Sequence, residues 1–168
     1  MKKEQVKVTA LQLPAPPRGW KAIPWRLPIG LYRLRLGFLL GERFLLLNHT
    51  GRKSGKVRQA VLEVMGKETE PRAYIVGSGF GERAHWFRNV MHTPDVVIQV
   101  GRRRYRARAE RLPYEQALAR FRQYAREHPL ALRELTRLLN YPFDGSEAAL
   151  DALARAVPVV RFRIIESI

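Results

Sequence analysis

The chain has 168 residues and 46% hydrophobic content, which suits one globular domain with a core and leaves little room for a second. Its 31 Lys and Arg residues far exceed its 15 Asp and Glu residues, and the net charge of +16 at pH 7 predicts an anionic partner: nucleic acid, an anionic membrane surface, or a phosphate- or carboxylate-bearing ligand. The absence of cysteine excludes disulfides, thiolate nucleophiles and cysteine-ligated metals, and no run of about 20 apolar residues predicts a membrane-spanning helix.

The first 26 residues are predicted to form an extended arm. The basic start is not followed by the apolar core and cleavage site of a secretory signal, so the expected location is the cytoplasm. Prolines prevent a long helix here. They are Pro14, Pro16, Pro17 and Pro24, accompanied by Trp20 and Trp25.

Residues 27–168 are predicted to form a single domain that opens with a helix ending at Gly41. Its apolar residues recur at helical spacing. We prefer a helix that covers one open end of a barrel; the alternative is an interfacial helix on anionic lipid headgroups. The apolar positions are Leu27, Leu31, Leu34 and Phe38, and the basic ones that favour lipid are Arg26, Arg33 and Arg35.

The pattern changes to strands after Arg43. Continuous or alternating apolar runs, closed by glycine, asparagine or proline, predict short strands, and one short helix lies among them. The predicted strands are Phe44–Leu47, Val57–Met65 ending at Gly66, Ala73–Val76 and Val96–Val100, and the helix is Glu82–Met91.

A hairpin turn at Gly101 leads into a strand over Arg103–Glu110 that carries arginine on one face. This row is either a solvated face or a track for an anionic chain. Nucleic-acid readers usually interleave aromatic residues with basic ones, and Tyr105 points to the opposite face, so nucleic-acid binding is unfavoured. The row consists of Arg104, Arg106 and Arg108.

Three helices and a closing strand complete the pattern. The helices begin near Tyr114, at Pro129 and after the capping Ser146, and the strand covers Val159–Ile164. About six mostly antiparallel strands with helices packed around them predict an α+β fold, a small closed barrel.

The segment Thr50–Arg58 joins two predicted strands and is rich in cations, glycine and hydroxyls. Backbone N–H groups, hydroxyls and cationic side chains in such a loop suit phosphate oxygens. A solvated basic turn is the alternative. The spacing is not that of a Walker A loop, and a strand follows instead of a helix.

A second glycine-rich stretch, Val76–Gly81, ends one strand just before a helix. Its glycines would let a planar ligand lie on the main chain, although an ordinary strand-to-helix turn explains the pattern equally well. The four histidines lack metal-ligand spacing, and no Gly-x-Ser-x-Gly elbow is present, so we predict neither a metal site nor covalent catalysis.

Four motifs in order closely resemble the deazaflavin-dependent nitroreductase family. They are Phe44–Gly55, Gly77–Gly81, Trp86–Asn89 and Pro94–Val100. The resemblance implies a split β-barrel related to FMN-binding barrels, and coenzyme F420, an 8-hydroxy-5-deazaflavin with a phosphodiester and an oligoglutamate tail. It also implies an oxidoreductase that passes a hydride from reduced F420 to a quinone, nitro compound or activated alkene.

Site residues follow from the motif match. The resemblance implies an anion-binding loop, a pair beside the ring, a glycine border and a closing helix. The anion-binding residues are Arg52, Lys53, Ser54, Gly55, Lys56 and Arg58, and the pair beside the ring is Ala60 and Val61. The glycine border is Gly77, Ser78, Gly79 and Phe80, and the closing helix contributes Trp86 and Asn89. Some relatives have lysine after the serine of the second motif, where this chain has Gly79, so one cationic contact is missing.

Tyr124 and Tyr141 are the candidate proton donors to the acceptor, although the helix stripe that contains Tyr124 explains that residue equally well. FMN is the alternative cofactor, but its single phosphate leaves the loop's excess of cations without a partner. A basic nucleic-acid-binding module and peripheral contact with an anionic membrane also stay open. The sequence is compatible with both a monomer and a homodimer.

Overall fold

The computed structural model describes residues 13–16, 29, 41–138, 140–141 and 143–168. Most of the predicted arm and the helix predicted from residue 27 lie outside the described residues, as does the domain boundary at residue 26. Those three predictions therefore stay predictions.

Six antiparallel strands close into a barrel in the order β1-β2-β3-β6-β5-β4, with β4 returning to β1. This confirms the predicted α+β split-barrel class. The strands are β1 Phe44–Thr50, β2 Val57–Thr69, β3 Arg72–Gly77, β4 Asp95–Val100, β5 Arg103–Arg111 and β6 Val159–Ser167. The helices are α1 His85–His92, α2 Tyr114–Glu127, α3 Pro129–Leu138 and α4 Glu147–Ala156.

Alternation along the strands fills the barrel interior. On β5, Tyr105, Ala107 and Ala109 are buried in the interior core while the arginines between them are exposed. Helix α1 seals the same core with Phe87 and Val90. Burial of this apolar surface from several strands and one helix is what holds the barrel closed.

Three strands end three or more residues beyond the prediction. β1 continues to Thr50, β2 continues past Gly66 to Thr69, and β6 continues past Ile164 to Ser167. The pairing of β2 with β3 shifts between Val64 and Gly66, a bulge that lets the ladder continue where the sequence indicated a stop.

The helix predicted over Glu82–Met91 is split. A short 3-10 turn covers Gly81–Arg83, Ala84 is extended with φ −58° and ψ 129°, and α1 begins at His85. Ala84 separates the two helical segments, and α1 packs Phe87 and Val90 on the interior core.

Helices α2, α3 and α4 pack on the outside of the barrel and form a second core with it. Strand β3 belongs to both cores, since Tyr74 and Val76 face the interior and Ile75 faces the helices. The part-buried carboxylate of Glu68 accepts hydrogen bonds from Arg161 of β6 and Arg120 of α2, which ties this layer to the barrel.

The arginine row of β5 is partly neutralised. Arg106 pairs with Glu166 at 2.7 Å, and Arg108 pairs with Asp95 at 3.2 Å. These contacts match the interpretation of a solvated face. Within the described residues, no helix has the length and apolar character to cross a membrane, and no group of His, Asp or Glu side chains is arranged to hold a metal ion.

Candidate functional site

A cavity of about 490 Å³ lies beside the barrel, between the basic loop, the start of β2, the glycine turn and α1. It collects predicted residues that are far apart in sequence. The predicted residues that line it are Arg52, Lys53, Ser54, Arg58, Ala60, Phe80, Trp86 and Asn89. His49, Gln59, His85 and Pro16 complete much of the lining, and the sequence had not singled them out for the site.

The basic loop between β1 and β2 folds tightly on itself. The N–H of Gly51 donates to the Lys56 carbonyl at 2.8 Å, and the N–H of Gly55 donates to the Gly51 carbonyl at 2.8 Å. Gly55 has φ +65°, where L side chains are disfavoured, and a Cβ on Gly51 would lie 2.8 Å from Ser54 Oγ. Both glycines are therefore needed to shape the loop.

Helix α1 holds the loop through Asn89. Its Oδ1 accepts hydrogen bonds from Arg52 N at 3.2 Å and from Arg52 Nη1 at 3.0 Å, and its Nδ2 lies 3.1 Å from His49 Nδ1. Burial, aided by the charge of Arg58, lowers the pKa of His49 to about 4. A neutral imidazole therefore lies under the loop at pH 7.

The cations of the basic loop and of the start of β2 have no acidic partner in the part of the chain that the structure describes. Among the described residues, the side chains of Arg52, Lys53, Lys56 and Arg58 form no ion pair, and no Asp or Glu lines the cavity. Several arginines on the barrel flank are paired, for example Arg163 with Glu110 at 2.9 Å. Arg52, Lys53 and Arg58 thus bring three positive charges to the cavity that no carboxylate of the described residues neutralises.

The glycine turn shapes the cavity more than it lines it. Ser78 is fully buried and its Oγ donates to the Gly81 carbonyl at 2.7 Å, so this hydroxyl is engaged within the turn. A Cβ on Gly77 would lie 2.9 Å from Met65 Sδ, which explains that glycine by packing toward the helical layer. Gly79 is half-buried, and of this stretch Phe80 lines the cavity.

Part of the cavity lining is an apolar wall. Ala60, Phe80 and Trp86 are partly buried and pack on the interior core. The Trp86 ring meets Phe87 edge-on at 6.0 Å between centroids, which fixes the indole plane. Val61 alternates with Ala60 along β2 and belongs to the outer face of the barrel, and Gly55 and Lys56 lie on the loop beyond the lining.

Residues 13–16 of the arm reach the site. Leu13 is buried in the second core, and its carbonyl accepts a hydrogen bond from the Arg83 guanidinium. Pro16 then lies at the edge of the cavity. The prolines indicated an extended segment, but no local signal indicated where it docks.

The two predicted proton donors lie elsewhere. The Tyr124 hydroxyl donates to Glu63 Oε1 at 3.0 Å and lines a separate cavity of about 840 Å³. Burial and the Glu63 carboxylate raise the pKa of Tyr124. Tyr141 lines a third cavity, and its hydroxyl lies 3.4 Å from the Ala149 carbonyl. The structure therefore does not bring either phenol together with the basic loop.

The residues at the cavity fit a flat ring with an anionic tail. The lining combines the cations Arg52, Lys53 and Arg58 with the apolar side chains of an alanine, a phenylalanine and a tryptophan. A cavity of this volume with an apolar wall and a few polar groups is of the size that accommodates small molecules and cofactors.

Comparison with solved structures supports the split-barrel fold. The F420-H2 dependent reductase FDR-A is 22% identical with a TM-score of 0.50, over 73% of this chain and 96% of that one. A pyridoxamine 5'-phosphate oxidase-related, FMN-binding protein from Nostoc punctiforme PCC 73102 is 16% identical with a TM-score of 0.52, over 86% of this chain and 82% of that one. At these identities the likeness establishes the fold alone.

No curated protein matches the chain. The sequence profile of the F420H(2)-dependent quinone reductases matches residues 34–133, more than half of the chain and the part that contains the basic loop, the glycine turn and α1. This agrees with the resemblance that the four motifs carry, and the chain belongs to the family of F420H2-dependent quinone reductases.

Proposed function

We propose that the 490 Å³ cavity is where this F420-dependent oxidoreductase binds its cofactor, with the phosphate and tail carboxylates on the basic loop and the ring against the apolar wall. The observation that carries the proposal is the charge distribution. Acidic residues pair with several arginines on the barrel flank, whereas Arg52, Lys53 and Arg58 at the cavity have no ion-pair partner within the described part of the chain. An anionic ligand at the loop supplies the missing counter-charge.

The residues of the cavity would bind the cofactor in different ways. Arg52, Lys53 and Arg58 bind anionic oxygens, and Ser54 offers a hydroxyl beside them. Lys56, exposed on the same loop, would add a further positive charge for the tail carboxylates. Ala60, Phe80 and Trp86 exclude water from the ring. Gly77, Ser78 and Gly79 form the turn that positions Phe80.

When bound, reduced F420 supplies the hydride for reduction of the acceptor. The residues of this chain orient the cofactor, keep the ring in an apolar environment and hold positive charge nearby. The acceptor is a small molecule, and we propose a quinone, with nitro compounds and activated alkenes as further candidates.

Two further statements stay predictions: the arm contacts an anionic membrane, and the protein is located in the cytoplasm. Both a monomer and a homodimer stay open. The basic and aromatic residues of the arm and of the following segment support membrane contact.

A parallel fluorescence titration with F420 and FMN tests the proposal. We expect F420 to bind in the micromolar range, with an affinity that falls as salt rises, and FMN to bind more weakly because it offers one phosphate to several cations. No saturable F420 binding, or a tighter complex with FMN, contradicts the proposal.

A further inference from the structure

Asn89 is the point where α1 meets the basic loop, and it contacts two residues from different elements. Its Oδ1 lies 3.2 Å from Arg52 N and 3.0 Å from Arg52 Nη1, and its Nδ2 lies 3.1 Å from His49 Nδ1. Asn89 and His49 are each 5% exposed. Bulk water therefore does not replace these hydrogen bonds easily, and an error in their direction is costly.

The chemistry of Arg52 fixes the direction of every bond in this chain of contacts. A backbone N–H and a guanidinium can only donate, so the atom that faces both must be the carbonyl oxygen of Asn89. The amide nitrogen then faces His49, and because it can only donate, His49 Nδ1 must accept. The imidazole is therefore neutral and carries its hydrogen on Nε2.

A hydrogen on Nδ1 would reverse this order. The Nδ1–H and the Asn89 amide N–H would face each other as two donors, and the amide would turn to present its oxygen to His49. Its NH₂ group would then face the two donors of Arg52, and the part-buried Arg52 N–H would lose its acceptor. Burial of the ring and the positive charge of Arg58 on β2 both disfavour an additional proton, and together they outweigh the backbone hydrogen bond at Thr50, which favours one.

We infer that His49 is a positioning residue of the cofactor site: its unprotonated Nδ1 fixes the amide of Asn89, which in turn holds Arg52 and the basic loop in place for an anionic ligand. The importance of the loop geometry rests on the proposed function. The contact chain itself exists without a cofactor, so it is tested separately.

The experiment uses the full chain without cofactor. Nitrogen-15 NMR of labelled histidine reads which ring nitrogen of His49 carries hydrogen, and amide exchange of Arg52 reads its bond to Asn89. We expect Nδ1 to be unprotonated and the Arg52 amide to be protected. In His49→Asn the side-chain oxygen takes nearly the place of Nδ1, whereas in His49→Gln it lies nearer the place of Nε2.

We expect protection of the Arg52 amide to persist in His49→Asn and its exchange to be about tenfold faster in His49→Gln, the factor for loss of one buried hydrogen bond. Because His49→Gln leaves every cation of the loop in place, a parallel loss of F420 affinity would come from the geometry of Arg52.

Hydrogen on Nδ1 in the wild-type protein, wild-type exchange in His49→Gln, or equal loss of protection in both variants overturns the inference. If both variants fail to fold, the tautomer of the wild-type protein decides. Wild-type protein that shows the expected tautomer and protection but does not bind F420 supports the inference and contradicts the proposed function, so the two failures are distinguishable.

Discussion

Leu13 packs directly against Gly81: a Cβ added to this glycine would lie 2.9 Å from Leu13 Cδ1. Gly81 also has φ +64°, a conformation that L side chains rarely adopt. Gly81 therefore allows both the backbone conformation of the glycine turn and the close packing of Leu13. Leu13 belongs to residues 13–16, which place Pro16 at the cavity.

Gly81→Ala is expected to lower the free energy of unfolding by about 2 kcal/mol, because backbone strain and displacement of Leu13 add together. Gly145→Ala is the matched control, since Gly145 has φ +82° with nothing within 4 Å of the added Cβ. It should cost about 1 kcal/mol. Urea unfolding measures both, and equal losses would mean that the Leu13 contact contributes nothing.

Removal of the loop cations is expected to weaken F420 binding. Arg52→Ala with Lys53→Ala should raise the dissociation constant at low salt about tenfold or more, because two charge-assisted contacts are lost. The control, Arg106→Ala with Arg108→Ala, removes the same charge from ion-paired positions on the flank. Fluorescence titration over a range of salt compares the two, and similar losses would indicate a long-range effect of net charge instead of contact.

The buried imidazole predicts acid sensitivity. The folded-state pKa of His49, about 4, lies below the ordinary value of 6.5, so its contribution to stability is complete above pH 6.5 and is lost as pH falls through 4. The full loss is about 3 kcal/mol. Denaturant unfolding from pH 7 to 4 should show a shallower decline in His49→Asn, whereas the exposed-site control His92→Asn should follow the wild-type curve.

The Glu68 ion pairs are expected to matter more than those at the surface. Its carboxylate is 16% exposed and faces two guanidiniums, each 23% exposed. Burial raises the pKa of Glu68, but the hydrogen bonds and charges of Arg161 and Arg120 outweigh it and give a net lowering.

Glu68→Ala leaves Arg120 without its ion-pair partner and Arg161 with only the longer ion pair to Glu110 at 3.9 Å, and it should cost about 3 kcal/mol of unfolding free energy. Glu166→Ala, which removes the exposed partner of Arg106, should cost less than about 1 kcal/mol. A difference within error between the two variants would contradict this ranking.

Tyr124→Phe separates the chemical from the structural interpretation of this phenol. Because the hydroxyl is bonded to Glu63 and lines another cavity, the variant should lose about 1 kcal/mol of stability and keep kcat for quinone reduction within about twofold. A large fall in kcat at normal stability would restore Tyr124 as a proton donor. Ser146→Ala, which removes the N-cap of α4, is a stability-matched control that leaves Tyr124 and its bond to Glu63 in place.

Local patterns predicted much of the barrel. Alternation over Arg103–Glu110 gave the correct faces of β5, and the capping of α4 by Ser146 is confirmed by a hydrogen bond from Ala149 N at 3.1 Å. These features depend on neighbours in sequence. The bulge beside Gly66 escaped prediction because pairing with β3, not β2 itself, decides where the ladder ends.

The site was predictable to the extent that motifs carry it. Loop and helix residues meet as the resemblance implies, yet Gly77 and Ser78 are explained by Met65 and by the turn, contacts that no local pattern contains. The position of Tyr124 depends on which side of the barrel α2 packs. That choice is made by the second core, which is built from residues distant along the chain.

Strand β3 is buried on both faces along Ala73–Val76. Its final residue, Gly77, packs so closely against Met65 and Val157 that an added Cβ would lie 2.9 Å from Met65 Sδ and 3.4 Å from Val157 Cγ1. A change in the packing of the outer helices is therefore expected to shift the main chain of β3, which leads into Phe80. The helical layer and the candidate cavity are therefore connected through β3, so we expect sequence changes in α2 or α4 to alter the shape of the cavity without replacing a residue that lines it.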